Sequence, residues 1–221
     1  HCTTLLHEAR THDYAVLVSA NRFWDAKRRR FAPPGPALAG LDVALDSSGF
    51  VAMRRYGGYR WSLEDYVAWA RQGPWTWWAQ LDWCCEPEVA GDPIEVETRQ
   101  WLTAQALAET RRLLADGQPA APLLPVLQGW HPADYLHSVE MLHDIVGTDV
   151  GACAAASDGA STVVGLVGVG SVCRRPVKGP SGLLAVLRTL DAALPRETKL
   201  HLFGVKSSAL AVVAADAALA S

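Results

Sequence analysis

The stretch LDVALDSSGF, Leu41 to Phe50, sets the fold class. An apolar run, Leu41–Leu45, ends at Asp46 and gives way to Ser47, Ser48 and Gly49. Short apolar runs bounded by turn residues are the signature of a buried strand. The next segment has helical character. Ser62 is placed as an N-cap for a helix over Ser62–Arg71, with Glu64 and Asp65 in its first turn, where the helix dipole favours negative charge.

The same unit recurs along the chain. Upstream, Tyr14–Val18 ends at Ser19, Ala20 and Asn21. Downstream, Trp77–Leu81 ends at Asp82 and precedes a long helix, about 94–116, with Gly117 as its stop. Leu123–Leu127 ends at Gln128 and Gly129 before a helix over Pro132–Val146. Val163–Val169 ends at Gly170 and Ser171 before a helix over Ser181–Leu194. Lys199–Phe203 ends at Gly204 before a helix over Ser207–Leu219. Nearly continuous apolar strands alternating with helices predict a parallel sheet covered on both faces. A doubly wound sheet and a (β/α)8 barrel both fit. No GxGxxG follows the first strand, which disfavours a dinucleotide-binding fold. The expected class is α/β, a (β/α)8 TIM barrel represented by about six β-α units in one domain over residues 1–221. A barrel usually takes ~250 residues, so the last two strands are expected beyond Ser221. The stretch from Arg28 to Pro36 is expected as a surface loop between the first two strands.

Composition narrows the class further. The chain has 221 residues, half of them hydrophobic, with net charge -3, five cysteines and nine tryptophans. That excludes a disordered or collagenous protein. No two cysteines have CxxC spacing, which argues against a disulfide scaffold or a local zinc knuckle. No apolar run approaches the ~20 residues that span a bilayer, and HCTTLLHEARTHD is too polar for a signal peptide. A cytoplasmic protein without a membrane partner is expected.

In this architecture the residues just past each strand converge on one pocket. They are Asn21, Asp46, Asp82, Gln128, the segment from Gly168 to Ser171, and Gly204 with Lys206. Two carboxylates and a carboxamide suit a guanine edge: a carboxylate accepts two adjacent N–H groups, and an amide offers a donor to the neighbouring carbonyl. Phe50, Tyr56, Tyr59, Trp83 and Trp130 lie near these loops as candidates to sandwich an extruded base, or simply to pack. Each strand-end residue also has a plain use as a cap or turn, so the joint occurrence carries the argument.

Five segments, taken in order, resemble the tRNA-guanine transglycosylase-like superfamily: DSSGF at Asp46–Phe50, LDWCCEPE at Leu81–Glu88, VLQGW at Val126–Trp130, GLVGVGS at Gly165–Ser171 and LFGVKSSAL at Leu202–Leu210. They resemble the family's DSGG, strand-end Asp, VQGG, GLAVGE and LMGVG segments and span about residues 42–210. GVGSVCRR and FGVKSSAL are most similar to the deazapurine-DNA transglycosylase (DpdA) branch. The resemblance implies a (β/α)8 barrel and a glycosyltransferase that replaces guanine in DNA with a 7-deazaguanine, such as 7-cyano-7-deazaguanine, by double displacement. Its partners would be DNA and the free deazaguanine base. The alternatives are the same chemistry on tRNA, a non-catalytic purine- or nucleic-acid-binding barrel, and an unrelated barrel with convergent acids.

The resemblance also implies roles. Asp46 lies against the reacting base and supports proton transfer. Asp82 grips the purine N1–H and amino edge, and Gln128 contacts the purine carbonyl. Gly168 lines the base pocket, and Ser47, Ser48 and Gly49 shape the loop near the ribose. The nucleophilic Asp is expected beyond Ser221; Asp216, expected within the last helix, is not assigned. No cofactor is expected in this chain, and the five cysteines do not supply the family's zinc spacing; a zinc is expected only in the downstream portion. The net charge is not that of an obvious nucleic-acid binder, but the basic residues cluster. Arg54, Arg55 and Arg60 follow the DSSGF loop, Arg174, Arg175 and Lys178 follow GVGS, and Lys27–Arg30 is a basic run. Arg54, Arg55, Arg174, Arg175 and Lys178 are the candidate phosphate contacts.

Overall fold

A computed structural model describes residues 2–115, 121–146 and 165–216. In chain order the elements are α1 (Cys2–His12), β1 (Val16–Ser19), β2 (Trp24–Asp25), β3 (Arg30–Phe31), β4 (Val43–Asp46), α2 (Gly49–Val51), α3 (Leu63–Ala70), β5 (Trp78–Ala79), α4 (Pro93–Leu114), β6 (Leu123–Leu124), β7 (Val126–Leu127), α5 (Pro132–Val146), β8 (Leu166–Val169), α6 (Leu183–Ala193), β9 (Lys199–Leu202) and α7 (Ser207–Ala214). The chain is a mixed α/β protein built on parallel sheet.

Strands pair in the order β1-β4-β5-β6 and β7-β8-β9, parallel throughout. β6 and β7 are two halves of one run interrupted at Pro125, which has no N–H to give the ladder. Its carbonyl still accepts from Gly168, at 2.8 Å. On the β5 side the Gln80 side chain takes over: its Oε1 accepts from Val126 N–H at 3.3 Å and its Nε2 donates to the Thr103 carbonyl of α4 at 2.6 Å. Six strand positions therefore follow one another in chain order, without the reversal that marks the switch point of a doubly wound sheet.

Alternation along the strands separates two faces. Val43 and Leu45 of β4, Trp78 of β5, Leu123 and Leu127, and Val167 and Val169 of β8 face the helices in the main core. Ala44, Trp77, Ala79, Leu124 and Val126 face the other way, with Leu166 and Phe203 packed on them. That inner face is curled. The rings of Trp77, beside β5, and His201, on β9, stand 4.8 Å apart, and Phe203 meets His201 at 4.7 Å. On a flat sheet β5 and β9 would lie about three strand spacings, ~14 Å, apart.

The helices start where local chemistry predicts. Ser62 caps α3 by accepting from Asp65 N–H at 3.1 Å. Asp92 caps α4, accepting from Ile94 and Glu95 N–H at 3.0 and 3.2 Å, with Pro93 in the first turn. α5 has the bounds read from the sequence.

Several expectations are corrected. α1 was not foreseen, because its polar sequence offers little apolar periodicity. The segment expected as a plain surface loop contains half of the antiparallel pair β2–β3, closed around the Lys27–Arg30 run, where Asp25 accepts from the Lys27 and Arg28 N–H groups. Phe31 stacks on Trp69 at 4.4 Å and meets Trp61 at 5.2 Å, so the pair is fastened by aromatic packing. α7 ends before Asp216, which instead pairs with Arg188 at 2.6 Å. Gly117, the expected helix stop, and Cys153 lie outside the described residues.

Candidate active site

On the inner face, the lower positions carry Ala44, Val126, Gly168 and the aromatic rings. One alternation further on, at the C-terminal ends, the same face carries Ser19, Asp46, Gln128 and Gly170. These residues line a cavity of about 410 Å³, together with Leu17, Gly49, Phe50, Asp82, Glu86 and Ser171. All six parallel strand positions contribute to its wall, either directly or through the loop after the strand.

Asp82 is the centre of the polar network. It is buried, and its Oδ1 accepts from the Ser47 hydroxyl. Tyr59 O–H lies 3.5 Å from the same oxygen and 2.9 Å from the Asp82 carbonyl. Gln128 Nε2 donates to Asp82 Oδ2. The orientation of that amide is fixed from behind: Cys85 N–H donates to Ser171 Oγ at 2.7 Å, and the Ser171 hydroxyl donates to Gln128 Oε1 at 2.7 Å. Gln128 Nε2 thus has a second N–H to offer a ligand, and the Asp82 carboxylate has lone pairs beyond those already used.

Asp46 stands beside this pair. Burial and the nearby Asp82 charge push its pKa up to about 7, against the opposing hydrogen bonds from Ser48 and Ser19. Burial raises Asp82 as well, while Ser47, Gln128 and Tyr59 work against the rise. A buried acid whose ionisation is suppressed by a neighbouring carboxylate is an arrangement used to hold a proton ready near neutral pH.

Close approach explains the glycines. A Cβ on Gly49 would lie 2.5 Å from the Asp82 carbonyl oxygen, and one on Gly170 would lie 2.1 Å from Gln128 Nε2. Ser48 and Ser171 hold left-handed conformations, with φ of 74° and 54°. Ser48 is pinned there by its hydrogen bond with the Ser19 hydroxyl and by accepting from Asn21 N–H at 2.8 Å. Such strain at two loops of one cavity is characteristic of functional sites. After Gly49 the backbone passes from α2 into a π-type turn over Ala52–Tyr56, another feature common at sites.

Asp46, Asp82, Gln128 and Gly49 are brought together in the cavity wall, while Ser47 and Ser48 support it from behind. Gly168 lies one layer deeper: a Cβ there would meet the Phe203 ring at 2.6 Å, and Gly170 and Ser171 line the cavity in its place. Of the aromatic candidates, Phe50 alone is in the wall. Tyr59 is a hydrogen-bonding member of the Asp82 network, Trp83 packs edge-on against Tyr59, Tyr56 lies under the guanidiniums of Arg55 and Arg60, and Trp130 lies under Arg175.

The basic residues divide. Arg54 and Arg174 are exposed and both reach Glu88, each at 2.7 Å. Arg55 and Lys178 are exposed. Arg175 is only 8% exposed. It donates to the carbonyls of Trp130, Gly129, Ser171 and Ser181, and to the Tyr135 hydroxyl at 3.2 Å. It therefore braces the β7 and β8 loops and is not placed to meet a phosphate at the surface.

Ser19 and Glu86 are cavity residues that the sequence does not single out, whereas Ser171 belongs to the strand-end segment Gly168 to Ser171 expected at the pocket. Ser19 also sits at a strand end, which was the available signal; Glu86 carried none beyond its place in LDWCCEPE. Among the described residues no cluster of three or more His, Cys, Asp or Glu is arranged to hold a metal ion. No helix among them is long and apolar enough to cross a membrane.

The family model for DpdA, deoxypurine in DNA protein A, matches residues 7–220. The chain belongs to the DpdA family. No curated protein matches it. DpdA proteins are tRNA-guanine transglycosylase-like, and membership points to a DNA-modifying guanine transglycosylase with nucleic acid as its partner. Nearly the whole chain is covered, so the five strand-end segments belong to one continuous match.

Proposed function

We propose that this DpdA chain exchanges guanine in DNA for a 7-deazaguanine, such as 7-cyano-7-deazaguanine, within a (β/α)8 barrel of which the six strand positions are consecutive units. Chain-order pairing and the curl that brings Trp77 onto His201 support the barrel. The observation that carries the function is the Asp82–Gln128 pair, locked in orientation by Ser171 and set beside Asp46 at the strand ends. Asp82 would accept the N1–H and amino hydrogens of a guanine-type base, and the second N–H of Gln128 would meet its carbonyl.

In the double displacement, a carboxylate oxygen attacks C1′ and the bond from C1′ to guanine N9 breaks. Guanine leaves with a proton on N9. The incoming base gives up its N9 proton, its N9 attacks C1′, and the carboxylate is released. Asp46, poised near neutrality, would supply the proton to the leaving base and take it from the incoming one. The carboxylate that attacks C1′ is not assigned among the described residues. Phe50 offers a face for the extruded base. Arg54, Arg55, Arg174 and Lys178, exposed around the opening loops, would hold flanking phosphates. The test is mass spectrometry of nucleosides hydrolysed from DNA and tRNA of cells expressing the gene. A deazaguanine nucleoside in DNA is expected. Its appearance in tRNA alone would overturn the DNA assignment.

A further inference from the structure

One charged feature lies outside the exchange chemistry. The turn of the β2–β3 pair carries consecutive cations from Lys27 to Arg30, with Asp25 as the acid beside them, in a chain whose net charge is -3. Asp25 shapes the turn. Its Oδ1 accepts from the Lys27 and Arg28 N–H groups at 3.0 and 3.1 Å, and its Oδ2 pairs with the Arg28 guanidinium at 2.8 Å. Lys27, Arg29 and Arg30 are exposed, and among the described residues the ion pairing of this turn ends with Arg28. Arg29 holds a left-handed conformation, with φ of 48°. An arginine there costs folding free energy that a glycine would not, which points to a use for its side chain.

The turn is held firmly and close to the cavity. The rings of Trp24 and Phe31, one on each strand, stand 5.0 Å apart, and both meet Trp61, at 5.6 and 5.2 Å. Trp61 packs on Tyr59 at 5.4 Å, and the Tyr59 hydroxyl donates to the Asp82 carbonyl at 2.9 Å. Aromatic packing thus joins the basic turn to the residue proposed to read the base. Along the chain, β2 follows closely on Ser19 of the cavity wall. Nine steps of chain separate Ser19 from Arg28. Even fully extended they span no more than ~32 Å, less than one turn of duplex DNA at ~34 Å. We propose that Lys27, Arg29 and Arg30 form a second DNA contact, gripping backbone phosphates of the duplex within one helical turn of the extruded guanine. Phosphate contacts fix register, and an anchor fastened to the Asp82 network would keep the duplex aligned with the base pocket while a nucleotide is out of the stack.

This inference rests on DNA as the partner, and the test separates the two. A variant combining Lys27→Gln, Arg29→Gly and Arg30→Gln leaves the Asp25–Arg28 pair in place, and glycine suits the backbone at position 29. Binding of a duplex of about 30 base pairs, roughly three helical turns, is followed by fluorescence anisotropy across a salt series. Calorimetry with 7-deazaguanine is run on the same samples. Each lost phosphate contact removes ~0.9 from the slope of log affinity against log salt. The slope should become shallower by about 2–3, and affinity at about 50 mM salt at least about tenfold weaker, with base affinity held within about twofold. Lys27→Gln with Arg30→Gln, which leaves Arg29 alone, should lose about 2 from the slope and gives the same reading should the triple variant not fold. An unchanged slope, where the wild type binds the duplex, would overturn the contact. So would a fall in base affinity in step with DNA affinity, which would make the turn a structural element, or a loss confined to tRNA. A wild type that takes the base and binds no duplex would overturn the DNA reading itself.

Discussion

The acids inside the cavity and the acid at its rim make opposite use of the same chemistry. Asp46, Asp82 and Glu86 sit where burial outweighs their partners, and all three are pushed above the ordinary carboxylate range. Glu88, two residues from Glu86, lies in solvent between Arg54 and Arg174 and is pulled below that range by its hydrogen bond to Arg174. An exposed ion pair costs little and stabilises little. The buried acids are held against their own ionisation, which a protein does where protons or ligands are handled. The interior of this cavity is thus electrostatically unrelaxed, while its rim is settled.

The sharpest way to break that contrast is at its centre. Asp82→Ala removes the acceptor proposed to meet two N–H donors of the base, each such bond to a carboxylate counting ~1.5–3 kcal/mol. Affinity for a guanine-type base should fall at least about 100-fold in calorimetry; an unchanged affinity would remove Asp82 from base recognition. Next in size is Gly170→Ala. Its Cβ would lie 2.1 Å from Gln128 Nε2, so the amide must leave Asp82 or the backbone must shift. A loss of about 1–3 kcal/mol is expected in denaturant unfolding, with base binding weakened as well. A variant as stable as the parent would show that the wall is soft.

Asp46 gives a smaller effect with a distinctive pH window. Its folded pKa of about 7 lies above the unfolded value near ~3.9. The folded state thus favours the proton: the contribution is fully present below ~3.9 and is lost as pH rises through about 7. Asp46→Asn should be more stable than the parent at pH 8 by roughly 1 kcal/mol or more, and not at pH 4. The same gain at both values would mean that Asp46 is not held in its protonated form. The smallest effect is expected at the rim. Glu88→Gln should move Tm by no more than about 2 °C. It should raise duplex DNA affinity a fewfold at low salt, because Arg54 and Arg174 are released toward phosphate. A large loss of stability would make the rim triad a structural post.

Much of this was legible in the sequence because strand ends carry their own punctuation. Asp46, Asp82 and Gln128 each close an apolar run, and the alternation of β4 places Asp46 on the inner face once the core residues Val43 and Leu45 are known. The Ser62 cap was legible for the same local reason. What escaped depends on contacts between loops. Glu86 becomes informative only when Cys173, 87 residues on, is seen against it. Arg175 looks like any surface arginine until Trp130, Tyr135 and Ser181 are found around its guanidinium. Gly168 and Gly170 point the same way, and the sequence alone could not say which layer met the cavity. Pro125 split an apolar run whose repair by Gln80 is a side-chain solution with no periodicity to reveal it.

The central claim is that Asp82 and Gln128 read a guanine-type edge, and direct calorimetric titration tests it. A 7-deazaguanine base and a 7-deazaadenine base differ in the N1 hydrogen, the carbonyl at position 6 and the 2-amino group that these two side chains would meet. Micromolar or tighter binding of the first, with at least about 100-fold weaker binding of the second, is the expected result. Equal affinity for the two would contradict it.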